Sequence, residues 1–239
     1  HPSAQYKFGC YLVDVSLRKG HQILISTHSE SLLSALPSQS RIYLEKTQQG
    51  IQTIQGLTPS QAHSLMTEGH KKALYILVED EEIKPVAKFI LKEIIRKIDR
   101  NFLESVGIYS VGSCESVKNA VRAFKDADMP VAGVLDADQS PIPKENIFTL
   151  PGSQCPEKEL FTNHAVKNHI QSRHGINIDD FAASVLVDVD HHKWFEKLAQ
   201  RTSMNESALI SEVSTVFVGS LSELDTSTLI EQLKQASYK

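Results

Sequence analysis

Cysteine is scarce in this chain. Cys10, Cys114 and Cys155 are the only three in 239 residues, and no two of them form a CxxC pair. That usage argues against a disulfide framework and against the usual structural zinc sites, and it makes a reducing, cytoplasmic setting the expectation. Long apolar runs are missing too: none approaches the roughly 20 residues that cross a bilayer, so no membrane partner is expected. The N-terminus lacks the charged-then-apolar layout of a secretory signal. There is no GxxxxGK[ST], hence no phosphate-cradling loop, and the chain is not expected to work as an ATPase by itself. Charge of one sign is lacking as well. With 25 Lys and Arg against 29 Asp and Glu the net charge is −4, which gives no bulk electrostatic reason for nucleic-acid binding. A local basic patch or bound Mg²⁺ would supply one without changing that total. Neither internal repeats nor low-complexity runs occur. What remains, 41% hydrophobic and 23% charged residues, is ordinary for a globular protein. The first residue is His1 rather than Met, which we read as the start of a fragment.

Two stretches organise the rest, ALYILVEDEE (Ala73–Glu82) and VAGVLDADQS (Val131–Ser140). Each begins as a short apolar run and breaks into carboxylates. Runs such as Leu74–Val78 and Val131–Leu135 have the length and composition of strands buried on both faces of a parallel sheet. In open α/β sheets the functional crevice lies outside the carboxyl ends of the strands. Glu79, Asp136 and Asp138 are therefore expected together at one sheet edge. Converging carboxylates repel one another unless a cation is present, which points to hard divalent ions.

Taken in order, the chain predicts a helix over Ala4–Lys19 stopped at Gly20, a buried strand Gln22–Ser26, a polar corner Thr27-His28-Ser29 and a helix Glu30–Leu36. Arg41–Leu44 and Gly50–Gln55 predict a hairpin turned by QQG. The stretch Thr58–Lys72 predicts a capped helix and a linker that holds the domain boundary. From Leu74 onward strands and helices alternate: strand Leu74–Glu79, helix Ile83–Arg100, strand Val106–Val111, helix Glu115–Ala127 with Phe124 inward, strand Val131–Leu135 and strand Asn146–Leu150. This order predicts a small parallel sheet with helices on both faces. The remainder reads as mostly helical, with Ala183–Val189 a candidate fifth strand, Trp194 and Phe195 in the core, and Leu221–Lys239 an exposed helix.

Two segments carry a family resemblance. QILISTHSESLL resembles the switch-histidine segment of ABC-type ATPases of the RecF, SMC and OLD kind, and HPSAQ at the N-terminus resembles the residues just after their Walker B strand. The resemblance implies that residues 1–60 are the C-terminal remnant of an ATPase domain and that His28 contacts the ATP γ-phosphate in the full-length protein. The plainer role for His28 is a helix cap or polar corner. The elements LVEDEE, IYSVGSCESV and VLDADQS resemble the TOPRIM domain of topoisomerases, primases and OLD-family (overcoming lysogenization defect) nucleases. Asp80 stands where that family commonly has Gly, and Gly112-Ser113 where it has two glycines. The order of the two resemblances is that of OLD-family ATP-dependent endonucleases. The implied organisation is a TOPRIM nuclease domain over 73–239, with its Rossmann-like core at about 73–161. By the same resemblance the full-length protein is a homodimer associated with phage defence.

The implied chemistry is cleavage of DNA phosphodiester bonds with two Mg²⁺ or Mn²⁺ ions. Asp136 is the candidate bridging ligand, Asp138 shares a metal with it, and Glu79 is their partner carboxylate or a general base. The family has another acid shortly after the first glutamate, for which Glu82 or Glu81 is the nearest match; helix-terminal acids also occur without metals. A further acidic ligand after the Asp-x-Asp strand falls on Glu157 or Glu159, with Ser153 weaker and helix capping the alternative for all. The family's late lysine, which stabilises transition-state charge, matches Lys193, then Lys197. Asp188, Asp190, His191 and His192 have the composition of a metal cluster, but capping is the better reading of Asp190. The expected activity is thus a metal-dependent endodeoxyribonuclease. Its rival is a degenerate TOPRIM module that binds metal or phosphate, or dimerises, without turnover. A topoisomerase is disfavoured because no tyrosine has a recognisable catalytic context, and a phosphoacceptor sheet does not explain Glu79.

Overall fold

A computed structural model of the chain describes residues 1–47, 50–66, 72–80 and 85–237. It divides into two compact units, one of residues 1–73 with 104–106, the other of residues 74–103 and 107–237.

In the first unit, helix α1 (Pro2–Lys19) ends at Gly20, whose φ of 66° is the left-handed conformation that suits glycine after a helix. Helix α2 (Glu30–Ser34) crosses it closely at Gly9, where a Cβ would lie 2.7 Å from that of Ala35. Strands β1 (Ile42–Thr47) and β2 (Gly50–Gln55) form the expected antiparallel hairpin, and the Arg41 guanidinium fixes its base by donating to the carbonyls of Leu36 and Leu57. Helix α3 (Pro59–Met66) begins with a reciprocal capping box. The Thr58 hydroxyl accepts from the Gln61 amide, and the Gln61 side chain accepts from the Thr58 amide. One expectation fails here. Residues 21–29 are not a buried strand, for they form no ladder among the described residues and Leu24 is 94% exposed. An apolar run becomes a buried strand only when neighbours pair with it, and none does so here.

The second unit is α/β: a parallel four-stranded sheet flanked by helices, with a mostly helical C-terminal part. Its strands are β3 (Leu74–Val78), β4 (Val106–Ser110), β5 (Val131–Leu135) and β6 (Ile147–Thr149), in the order β4-β3-β5-β6. Tyr75 pairs with Val131 and Gly133 with Ile147. Helices α4 (Val86–Ile98) and α5 (Arg100–Ser105) connect β3 to β4, and α6 (Cys114–Asp126) connects β4 to β5. Alternate residues Leu77, Val131, Leu135 and Ile147 pack under Val117 and Val121 of α6. The chain continues through α7 (Pro156–Thr162), α8 (His164–His174), α9 (Ile178–Val185), α10 (Trp194–Thr202), α11 (Glu206–Ser220) and α12 (Glu223–Ala236). Helix α12 packs on β5 and β6, and α4 packs on α11. Gly133 allows α6 to lie close, since a Cβ there would come 2.8 Å from Val117 Cγ1 and 3.1 Å from Val121 Cγ2. Gly133→Ala is expected to lose about 1–3 kcal/mol by overpacking. Urea denaturation measures it, and unchanged stability would mean that α6 shifts freely.

Several sequence expectations are corrected in this unit. Ala183–Val189 is no strand: its first half ends α9 and its second half is a turn containing Asp188 at φ 57°. The Asn177 side-chain oxygen accepts from the amides of Asp179 and Asp180, and this cap starts a helix that overrides the β-branched composition. The closing helix is not fully exposed, because Leu229, Ile230, Leu233 and Ala236 are buried. Phe124 faces outward, 40% exposed, beside Tyr75, Tyr109 and Met129. Phe195 is core, whereas Trp194 is half-buried and donates its indole N–H to the Val189 carbonyl. No helix among the described residues is long and apolar enough to cross a membrane.

Candidate metal site at the strand ends

A cleft of about 300 Å³ opens where β3 and β5 end, lined by Glu79, Asp80, Gly112, Ser113, Asp136, Pro156, Glu157 and His192. The strands determine this convergence. Glu79 directly follows β3, its amide extending the ladder by donating to the Val134 carbonyl at 3.2 Å. Asp136 directly follows β5. Glu157 comes from the first turn of α7, across the cleft. Gly112, with φ 93°, turns β4 into α6 in a conformation that favours glycine, and donates its amide to the Asp80 carbonyl at 2.9 Å.

Glu79 is held at both oxygens. Its Oε1 accepts from the Cys114 amide at 3.0 Å and its Oε2 from the Asp136 amide at 3.4 Å. It thus completes the N-terminus of α6, where the Ser113 hydroxyl accepts from the Ser116 amide, and the helix dipole favours its charge. Asp80 Oδ2 accepts from the Lys88 amide at 2.8 Å at the start of α4. Even so, burial, with Glu157 nearby, pushes its carboxyl up to about 7. Asp136 is perturbed further. Burial first, and then repulsion from Glu79, Glu157, Asp138 and Asp80, pushes it up to about 8. Its Oδ1 is buried with no hydrogen-bond partner among the described residues. An unpaired buried carboxylate oxygen facing other carboxylates is costly in the charged form. The arrangement fits a hard divalent cation, which would satisfy that oxygen and relieve the repulsion.

The remaining sequence candidates separate. Asp138 is exposed and not among the cleft-lining residues, and its Oδ1 accepts from the Gln139 side-chain amide at 3.1 Å. Glu157 is 7% exposed and lines the cleft, its Oε1 bonded to His192 Nδ1 at 3.1 Å. Glu159 turns away: its Oε1 accepts from the amides of Ser153 (2.5 Å) and Gln154 (2.9 Å) and from the Ser153 hydroxyl, so both Glu159 and Ser153 serve the loop before α7. Glu82 and Glu81 lie outside the described residues. Lys193 is exposed and not among the cleft-lining residues, and Lys197 lines a different cleft with Asp180 and Arg201. His28 is exposed in the first unit, where Ser29, not His28, caps α2 by accepting from the Leu32 amide.

Two of the lining residues reach the cleft in a way that the sequence pattern does not assign, since it leaves Asp80 without a role and reads His192 only as part of a cluster with Asp188, Asp190 and His191. Asp80 is one, and its burial becomes visible only with α4 packed behind it. His192 is the other, because adjacent histidines diverge on an α-helix. Residues 191–193 instead form a 3-10 turn, capped by Asp190 through the His192 amide at 3.0 Å, and the two imidazole centroids lie 4.0 Å apart. Around this turn, among the described residues, two groups could hold a metal ion, Cys155 with Glu157 and His191, and Asp190 with His191 and His192.

Neither a family model nor a curated protein matches the chain. Among solved structures, the C-terminal region of the OLD protein of Xanthomonas campestris pv. campestris aligns with 70% of this chain and 97% of its own. The TM-score is 0.42 and the identity 14%.

Proposed function

We propose that the second unit is a TOPRIM-type, metal-dependent endodeoxyribonuclease. The observation that carries this reading is the buried, unpartnered Asp136 Oδ1 among Glu79, Asp80 and Glu157 at the carboxyl ends of β3 and β5. Mg²⁺ or Mn²⁺, as two ions when bound, would supply a hydroxide nucleophile and stabilise charge on the leaving oxygen. Asp136 is the proposed bridging ligand. Glu79 is preoriented by the Cys114 and Asp136 amides, Glu157 supplies the opposite wall, and His192 orients it. Asp138, two residues beyond Asp136, contributes as well. Lys193, one residue beyond His192, is proposed to stabilise charge on the scissile phosphate. The ATPase reading of the first unit, with His28 at a γ-phosphate, and dimerisation both belong to a longer protein.

Supercoiled plasmid incubated with Mg²⁺, Mn²⁺, Ca²⁺ or EDTA tests the proposal. Nicked or linear product is expected with Mg²⁺ or Mn²⁺, none with EDTA, and none from Glu79→Ala. A binding module without turnover is the second reading, supported by the lack of a Lys or Arg among the described residues that line the cleft. Plasmid left intact while Mn²⁺ raises the melting temperature would replace the nuclease with that module.

A further inference from the structure

Beside the carboxylate cleft the chain builds a second donor set of different character. Cys155, the N-cap of α7, is 7% exposed, Glu157 lies two residues on, and half-buried His191 comes from the 3-10 turn before α10. One ligand atom from each, a sulfur, a carboxylate oxygen and an imidazole nitrogen, lie within 4.8 Å of one another. Tetrahedral Zn²⁺ with bonds of about 2.0–2.3 Å separates its donors by roughly 3.3–3.8 Å, so a contraction of about 1 Å would let these side chains take three of its four positions and leave the fourth to water. The mixed sulfur and nitrogen set suits a borderline-soft ion, unlike the all-carboxylate wall formed by Glu79, Asp80 and Asp136. His192, on Glu157 Oε1 at 3.1 Å, and Asp190, near His191 Nδ1 at 3.4 Å, stand directly behind the donors. Outer partners of this kind fix ligand orientation in metal sites.

We propose that Cys155, Glu157 and His191 form a binding site for a thiophilic divalent cation, Zn²⁺ by preference, distinct from the Mg²⁺-type cleft but sharing Glu157 with it. The missing CxxC spacing hides such a site from sequence inspection, because its ligands come from two segments 34 residues apart at the nearest (157 to 191). Binding converts the Cys155 thiol to a thiolate: a sulfur–metal bond forms and one proton is released to solvent. An ion here would tie the 186–193 segment to α7. If the nuclease reading above holds, it would also take Glu157 from the carboxylate cleft, making Zn²⁺ an inhibitor of Mg²⁺-dependent cleavage.

Co²⁺ as a spectroscopic stand-in for Zn²⁺ tests the site without reference to cleavage. Titration of the full chain is expected to give a thiolate-to-cobalt charge-transfer band that Zn²⁺ abolishes and excess Mg²⁺ does not. The band should vanish in Cys155→Ser, persist in Cys114→Ser and Cys10→Ser, and persist in Asp136→Asn. His191→Gln, at a half-buried position, should weaken Co²⁺ binding by roughly 10–100-fold or more, the loss typical of even the outer partners of metal ligands. Absence of the band, its survival in Cys155→Ser, or unchanged affinity in His191→Gln would overturn the proposal. A chain that shows the band but cuts no plasmid would retain this site and lose only the nuclease reading.

Discussion

Asp136→Asn is expected to move activity and stability in opposite directions. Metal-dependent cleavage should fall by roughly 100-fold or more, since even partners outside the metal shell are commonly worth 10–100-fold. In EDTA at pH 7–8, the same variant should be more stable than the parent. The ordinary aspartate carboxyl titrates near 3.8, and burial with neighbouring carboxylates pushes that of Asp136 up to about 8. The folded protein therefore keeps a proton that the unfolded chain releases. Below about pH 4 both states are protonated and the group costs nothing; stability is lost progressively as pH rises toward 8. Asparagine removes that loss. The gain should be near zero at pH 4 and on the order of 2–4 kcal/mol by pH 8, after allowance for partial exposure. Melting temperatures should then differ by roughly 5–10 °C at the higher pH. Mn²⁺ at about 1,000 times its dissociation constant should cancel or reverse the ranking, because it adds roughly 4.1 kcal/mol to the parent alone. A variant no more stable than the parent at pH 8 would show that Asp136 is charged at no cost, and the case for a cation at its Oδ1 would fall with it.

Local chemistry made some of the fold legible. Val131–Leu135 is a strand at the predicted limits because its five apolar residues are buried on both faces and Pro130 and Asp136 bound it. The Thr58-Pro59-Ser60-Gln61 start of α3 and the Gly20 stop of α1 depend on residues within one turn, so they read directly. What failed depends on partners distant in sequence. Gln22–Ser26 has strand composition but no neighbour to complete a ladder. Leu229 and Leu233 are buried because α12 packs on α4, β5 and β6, which weak periodicity in a polar segment does not announce. The site divides along the same line. Glu79 and Asp136 are at strand ends, and that placement comes from the apolar runs before them. The burial of Asp80 and the approach of Cys155 and Glu157 to His191 and His192 depend on tertiary packing: the sequence marks Glu157 and the 188–192 cluster separately, and no spacing brings them together.

Glu157 and Glu159 show how a helix start resolves an ambiguity of two residues. With Cys155 as N-cap and Pro156 the first residue of α7, positions 157 and 159 project from different sides of the first turn. Glu157 is buried at the cleft against His192, whereas Glu159 satisfies the amides of Ser153 and Gln154. Glu157→Gln should therefore weaken Mn²⁺ binding by roughly 10–100-fold or more while folding normally, since the amide oxygen still accepts a hydrogen bond from an imidazole N–H. Glu159→Ala should leave Mn²⁺ affinity within about twofold but lose about 1–3 kcal/mol, because two loop amides are deprived of their acceptor. Calorimetric titration of Mn²⁺ and urea denaturation of both variants would measure the two effects separately. The expected pattern is a crossed one, with affinity lost in the first and stability in the second. Equal loss of affinity in both would mean that the loop Gly152–Gln154 positions the cleft as a unit, with Gly152 (φ 134°) packed against Glu159 as its anchor. Loss of affinity in Glu159→Ala alone would remove Glu157 from the ligand set.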